Sequence, residues 1–153
     1  MNRRDFLQRS SRTSLAAAAG WTILQNANSV RAAPANERVV LAVVGIRARG
    51  GNLAAEFAER PDCRIAYLCD VDANLFPARV KRVAPIQDGH EPKCVQDFRT
   101  VLDDQSVDAI VIATPDHWHC LMAIRGCQAG KDVYVEKPLS HSAWEGRKTI
   151  EAA

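Results

Sequence analysis

The sequence predicts an α/β fold, a doubly wound parallel sheet covered by helices on both faces, and three observations predict it. Residues 38–45, 65–69, 109–113 and 133–135 are continuous apolar runs rather than alternating ones, the mark of strands buried on both faces. Segments with apolar residues at helical spacing lie between them. The first run ends in a glycine-rich turn that opens directly into a helix. Strands alternating with helices in this order give a parallel sheet.

The elements follow in sequence. After the first strand, Leu53, Ala54, Phe57 and Ala58 repeat at helical spacing, and Pro61 stops that helix because the residue before a proline avoids the helical region. The second strand is followed by a helix marked by Leu75, Phe76, Val80 and Val83. Residues 85–92, bounded by prolines and mostly polar, predict a loop. Lys93-Cys94-Val95 is a weaker strand, third of five in chain order, and Val101 and Leu102 sit in a short helix. After the strand at 109–113, Asp116 is positioned to cap a helix with Trp118, Leu121, Met122 and Ile124 as apolar contacts, and Gly130 ends it. Ser142 and Glu145 form a capping box for a last helix after the fifth strand.

With 153 residues, 47% hydrophobic and 25% charged, the chain has the material for one globular domain with a core. Its formal charge of +2 is unevenly placed: residues 1–32 hold five arginines and one aspartate, leaving 15 basic against 17 acidic residues in the remainder. A mildly acidic folded part lacks the basic footprint of a nucleic-acid binder. The five cysteines, Cys63, Cys69, Cys94, Cys120 and Cys127, contain no C-x-x-C pair. They are expected mostly as buried small hydrophobes, with a single disulfide left open.

Residues 1–32 have the pattern of an export signal and 33–153 that of the folded domain. Arg3 and Arg4 stand at the head, and residues 14–24 form a weakly apolar stretch too short to span a bilayer. Val30-Arg31-Ala32 offers a peptidase site, with Pro34 just beyond. The pattern resembles a twin-arginine signal, which implies a periplasmic or other extracytoplasmic location. The competing reading is an amphipathic N-terminal helix packed on the domain.

The turn after the first strand reads Gly45-Ile46-Arg47-Ala48-Arg49-Gly50-Gly51. In a Rossmann-like dinucleotide site the first glycine makes the turn, the second admits the pyrophosphate and the third lets helix pack on strand. Gly45 and Gly50 fill the first and third places, while Arg47 stands at the second. Its side chain crowds the pyrophosphate unless the guanidinium folds over it as a compensating charge. Arg49 is either a phosphate contact or a solvated side chain. Asp70 ends the second strand at the position where a carboxylate takes the adenosine ribose hydroxyls and repels a 2′-phosphate. These features together predict NAD in preference to NADP, with Asp72 available as a helix cap beside Asp70.

Three further segments carry a family resemblance: Cys69-Asp70-Val71-Asp72, Ala113-Thr114-Pro115-Asp116-His117-Trp118-His119 and Val135-Glu136-Lys137-Pro138-Leu139. With the glycine turn they resemble the Gfo/Idh/MocA oxidoreductases over about residues 38–153. The resemblance implies that Thr114 and Pro115 line the cofactor cleft and that His119 sits near the dinucleotide. It places Glu136 beside the nicotinamide and makes Lys137 the catalytic residue, hydrogen-bonded to the reacting hydroxyl or carbonyl of a sugar or polyol. An ammonium there favours negative charge developing on a substrate oxygen. The Lys137–Pro138 bond is a candidate for cis. His117, His119 and Cys120 are poorly spaced for one metal ion, so no metal is expected, and Trp118 is read as packing.

The resemblance also implies a second, α+β domain that binds substrate, supplies an acid/base residue and often builds the oligomer. That domain and the last parallel strand are expected to be missing from a chain ending at residue 153, leaving an apolar sheet edge near residues 133–135. No pattern in these residues defines an oligomer interface. Three functions stay open: the front of an NAD-dependent sugar or polyol dehydrogenase, the front of an NAD-dependent glycosidase of the same superfamily, or a non-catalytic dinucleotide-binding fragment.

Overall fold

The computed structural model describes residues 38–153; the export-type segment lies outside the described residues. Five strands form one parallel sheet: β1 (Val39–Val44), β2 (Cys63–Cys69), β3 (Lys93–Val95), β4 (Ala109–Ile112) and β5 (Asp132–Val135), in the order β3-β2-β1-β4-β5. The helices are α1 (Arg49–Ala58), α2 (Phe76–Val83), α3 (Phe98–Asp103), α4 (His119–Gln128) and α5 (Ala143–Ala152). The order reverses at β1, since β2 lies on one side of it and β4 on the other. Open α/β sheets bind ligands in the crevice at such a switch point, beyond the carboxyl ends of the strands.

Alternate residues of the central strands feed two cores. Leu41, Val43, Ile65, Leu68 and Val111 pack with Leu53, Ala54, Ala58 and Val83 of α1 and α2. Ala42, Val44, Tyr67, Cys69, Ile110 and Ile112 pack with Val101 and Ala123 of α3 and α4. Ile46, fully buried beneath the glycine turn, joins the first core and contributes about 1.5–3 kcal/mol by leaving water. The β1–β2 register shifts between Leu41 and Ala42: Leu41 faces Ile65, but Ala42 faces Tyr67. Ala66 is the extra residue, and both it and Tyr67 lie against the second core. The bulge thus inverts the alternation of β2 halfway along its length.

Two glycines are dictated by close approach. Gly45 has φ +81, and a Cβ there would stand 2.6 Å from the backbone nitrogen of Thr114. At Gly50 a Cβ would lie 1.8 Å from the carbonyl oxygen of Gly45. The first turn of α1 therefore rests on the end of β1, as expected for the third glycine of such a turn. At the C-terminus of α4, Gly130 adopts φ +71 and its N–H reaches the carbonyl of Cys127 at 2.9 Å, the expected left-handed stop.

Several expectations are corrected. Residues 84–87 form a 3₁₀ turn rather than open loop, and Gln87 is buried. Its amide bonds both backbone groups of Ile65, accepting from the N–H and donating to the carbonyl at 3.0 Å each. Asp116 does not cap α4. It opens a 3₁₀ turn, Asp116–Trp118, and accepts from the N–H of its neighbour His117 at 2.9 Å. The capping box of α5 is displaced by one residue: Ser142 Oγ accepts from the N–H of Glu145, but the Glu145 carboxylate returns to the N–H of His141 at 2.8 Å. Only Cys69 and Cys120 of the five cysteines are buried; Cys94 is exposed, and all five are free thiols.

Replacing Gly50 with alanine is expected to abolish cooperative folding or cost more than about 3 kcal/mol, because the colliding atom is backbone. Gly126→Ala meets the terminal methyl of Ile110 at 2.4 Å, which can shift, and should cost about 1–3 kcal/mol. Urea unfolding midpoints of the two variants check this ordering.

Candidate dinucleotide site

The carboxyl ends of β1, β2 and β4 open into a cleft of about 770 Å³, lined by Gly45, Asp70, Thr114 and Pro115 among others. Trp118, Leu121 and Met122 form an apolar wall of the same cleft. Trp118 is 45% exposed, so it lines the cleft instead of packing in the core. Cys69 lies on the floor, where burial pushes its thiol up to about 12; it stays protonated and takes no part in anionic chemistry.

The glycine turn is organised by groups that donate to it and accept from it. Asp70 Oδ2 accepts from the N–H of Ile46 at 2.9 Å, and Oδ1 accepts from the N–H of Asp72 at 3.0 Å. The carboxylate is thereby fixed beside the turn, and each oxygen keeps a lone pair for a further donor. Asp72 caps the following 3₁₀ turn, accepting from the N–H of Asn74 at 3.1 Å. From α2, Arg79 Nε donates to the carbonyl of Ile46 at 2.7 Å and Nη2 to that of Arg47. Gly51 leaves the room this requires, since a Cβ there would stand 2.6 Å from Arg79 Nε.

At the start of α1, Ala48 makes no side-chain cap and the first turn holds no acidic residue. The backbone bond from Asn52 N–H to the Ala48 carbonyl is 3.2 Å, and the N–H groups before it have no partner within the helix. A fixed carboxylate, an uncapped helix end and a tight glycine turn on one rim fit the ribose and pyrophosphate of a dinucleotide.

Arg47 does not fold over this turn. Its Nη2 pairs with Asp72 Oδ2 at 3.2 Å and the side chain is 77% exposed. Arg49 crosses towards the other side of the site: its Nε donates to Glu136 Oε1 at 2.8 Å, and Tyr134 Oη reaches the same oxygen at 3.3 Å. The Arg49 guanidinium holds the Glu136 carboxyl below the ordinary glutamate range. Lys137 is exposed just past β5, joined to Pro138 by a cis peptide bond.

His119 is enclosed between two backbone carbonyls. Only 2% exposed, it has Nδ1 2.7 Å from the carbonyl oxygen of Pro138 and Nε2 2.9 Å from that of Thr114. Carbonyls only accept, so a ring bearing protons on both nitrogens makes both bonds and a neutral ring makes one. His119 is thus a strut between the two strand-end motifs, one of which, at Thr114, lines the cleft. Asp116 ties the same region to the approach of α5 through His141 Nε2 at 3.0 Å, which lowers its carboxyl. Among the described residues no three His, Cys, Asp or Glu side chains are grouped to hold a metal ion.

Arg79, Gln87 and the strut role of His119 were not foreseen. All three act on backbone carbonyls or amides distant in sequence, for which no spacing rule exists. The one available signal was a small residue, Gly51, where an ordinary helix would carry a side chain.

The sequence model described as "Oxidoreductase family, NAD-binding Rossmann fold", that of the Gfo/Idh/MocA proteins, matches residues 39–153. The chain belongs to this family. Among curated relatives, a glycosyl hydrolase family 109 protein of Saccharopolyspora erythraea is 33% identical over 109 residues, covering 68% of this chain and 23% of that protein. One of the same name from Shewanella pealeana is 26% identical, covering 100% of this chain and 37% of the relative. Among solved structures, GenD2 from gentamicin A biosynthesis, in complex with NAD, superposes with a TM-score of 0.69 at 29% identity, covering 76% of this chain and 32% of that one. An NAD-binding protein from Listeria innocua gives 0.63 at 26% identity, covering 76% and 31%. The chain thus spans between 23% and 37% of the length of these proteins. It is an NAD-binding Rossmann domain of the Gfo/Idh/MocA oxidoreductases.

The Arg49–Glu136 tie has a definite pH sense. A carboxyl lowered in the folded state contributes stability above its unfolded value and loses it as pH falls through the folded one. Carbon-13 NMR of the Glu136 side chain should show titration below the ordinary glutamate range, and Arg49→Ala should return it there. An unchanged midpoint in that variant would remove the tie.

Proposed function

We propose that this chain is the dinucleotide-binding half of an exported oxidoreductase that exchanges hydride with a CH–OH carbon of a sugar or polyol. The observation that carries the reading is the shared rim: Asp70 fixed beside the glycine turn and Lys137 exposed past β5, both beyond the carboxyl ends of the sheet. When bound, NAD supplies the hydride chemistry at its nicotinamide ring. The residues present bind and orient. The helix end at Arg49–Gly50 attracts the pyrophosphate, and Asp70 accepts from the ribose hydroxyls. Lys137 holds the reacting oxygen and moves its proton, with its ammonium offsetting charge on that oxygen.

A second reading is supported by the relatives named glycosyl hydrolase family 109. There the same oxidation at a sugar carbon makes the neighbouring C–H acidic and permits elimination of the glycosidic bond. Glu136, Lys137 and the cleft serve both reactions alike. A released aglycone, as against an oxidised sugar that keeps its glycosidic bond, separates them in a complete enzyme.

Calorimetric titration of the full chain with NAD⁺ and NADH tests the common core. Saturable binding, weakened at least tenfold (about 1.4 kcal/mol) in Asp70→Ala, is the expected result. No binding by a chain whose circular dichroism shows a folded α/β domain would overturn it. The paired Arg3 and Arg4 support export by the twin-arginine route. Residues 1–32 fused to a folded fluorescent reporter should carry it to the periplasm, and a Lys-Lys replacement of the arginines should leave it in the cytoplasm.

A further inference from the structure

We propose that Arg47 is a specificity-determining residue that lets this site take a dinucleotide bearing a 2′-phosphate, NADP, as well as NAD. The inference rests on the dinucleotide reading of the preceding section. It begins from the oddity that a long basic side chain occupies the place of the second glycine. That side chain does not lie against the helix end where pyrophosphate belongs. It leaves the turn towards the residues after β2, where Nη2 meets Asp72 Oδ2 at 3.2 Å.

Those residues surround the ribose position. Asp70 bonds the N–H of Ile46, the residue before Arg47, and the N–H of Asp72, the partner of Arg47. One carboxylate thus joins both ends of the pair, which puts the guanidinium on the side of the turn that Asp70 marks for the adenosine ribose. With Asp70 and Asp72 alone, a 2′-phosphate would meet two carboxylates and be rejected. Arg47 supplies the missing opposite charge.

The pair is also easily exchanged. It is one-pronged and the Arg47 side chain is 77% exposed, so its partner is held weakly against solvent. A phosphate dianion accepts two parallel N–H bonds from one guanidinium and competes well for it. Asp72 keeps an independent role when Arg47 turns away, because its other oxygen, Oδ1, receives the N–H and Nδ2 of Asn74 at 3.1 and 3.0 Å. The turn keeps its shape too, since Arg79 and not Arg47 clamps its carbonyls. The site is built to offer a carboxylate to a ribose hydroxyl or a guanidinium to a phosphate without rearranging its backbone.

The test is calorimetric titration of the full chain and its variants with NAD⁺ and NADP⁺, with phosphorus NMR of the 2′-phosphate as a second readout. The unaltered chain should bind NADP⁺ within about tenfold of NAD⁺. Arg47→Gly should weaken NADP⁺ by about tenfold or more while changing NAD⁺ by less than about threefold, and should abolish the shift of the 2′-phosphate resonance on binding. Asp72→Asn should tighten NADP⁺. Binding of NAD⁺ with an NADP⁺ to NAD⁺ ratio unaltered by Arg47→Gly would overturn the role of Arg47 and leave the dinucleotide reading standing. Binding of neither by the folded chain would overturn both.

Discussion

The first turn of α1 sits on the carbonyl of Gly45 so closely that one methyl group at Gly50 would lie 1.8 Å from the oxygen. That contact sets the distance between helix and sheet and so the position of every group on the rim. It brings the uncapped helix end up to the strand end, beside Gly45 at the rim of the cleft. It also delivers Arg49 to the side of β5, within 2.8 Å of Glu136. A helix lifted by the width of a side chain would leave the same residues too far apart to act as one site.

Polar groups around this contact are arranged to hold backbone. Asp70, Arg79, Gln87 and His119 each bond main-chain atoms of a segment remote in sequence. Removing one partner would leave a donor or acceptor unsatisfied, which costs more than the bond itself contributes. The loops beyond the strands are thereby tied to the sheet and its helices. Loops held in this way keep the Asp70 carboxylate, the start of α1 and the Lys137 ammonium in constant relation.

The succession of strands and helices, the parallel sheet and the glycine turn were legible because they follow from local pattern: apolar runs, helical spacing and turn glycines. Gly45, Asp70, Thr114 and Pro115 line one cleft, and Gly50 packs against the Gly45 carbonyl beside it. His119 and Arg47 were harder to place. A histidine three residues into a polar stretch gives no sign that two carbonyls, one of them 19 residues away, will enclose its ring. Arg47 was read through the glycine it replaces, yet its direction is set by Asp72, 25 residues on. Capping at Asp116 and Glu145 erred by small offsets because a 3₁₀ turn or one extra residue moves the bond without changing the letters.

The bulge at Ala66 has an effect out of proportion to its size. Side chains on a strand alternate like the parity of a count, and one unpaired residue turns odd into even from that point onwards. Ile65 and Leu68 can both face α1 and α2 for this reason, and Asp70 comes out on their side, where the amide of Ile46 waits. Were Ala66 paired regularly instead of bulged, the same count of residues would carry the Asp70 carboxylate to the opposite face of the sheet. The side from which Asp70 meets the glycine turn thus depends on an arithmetic of one residue, four positions and some 13 Å (about 3.3 Å per residue) before it.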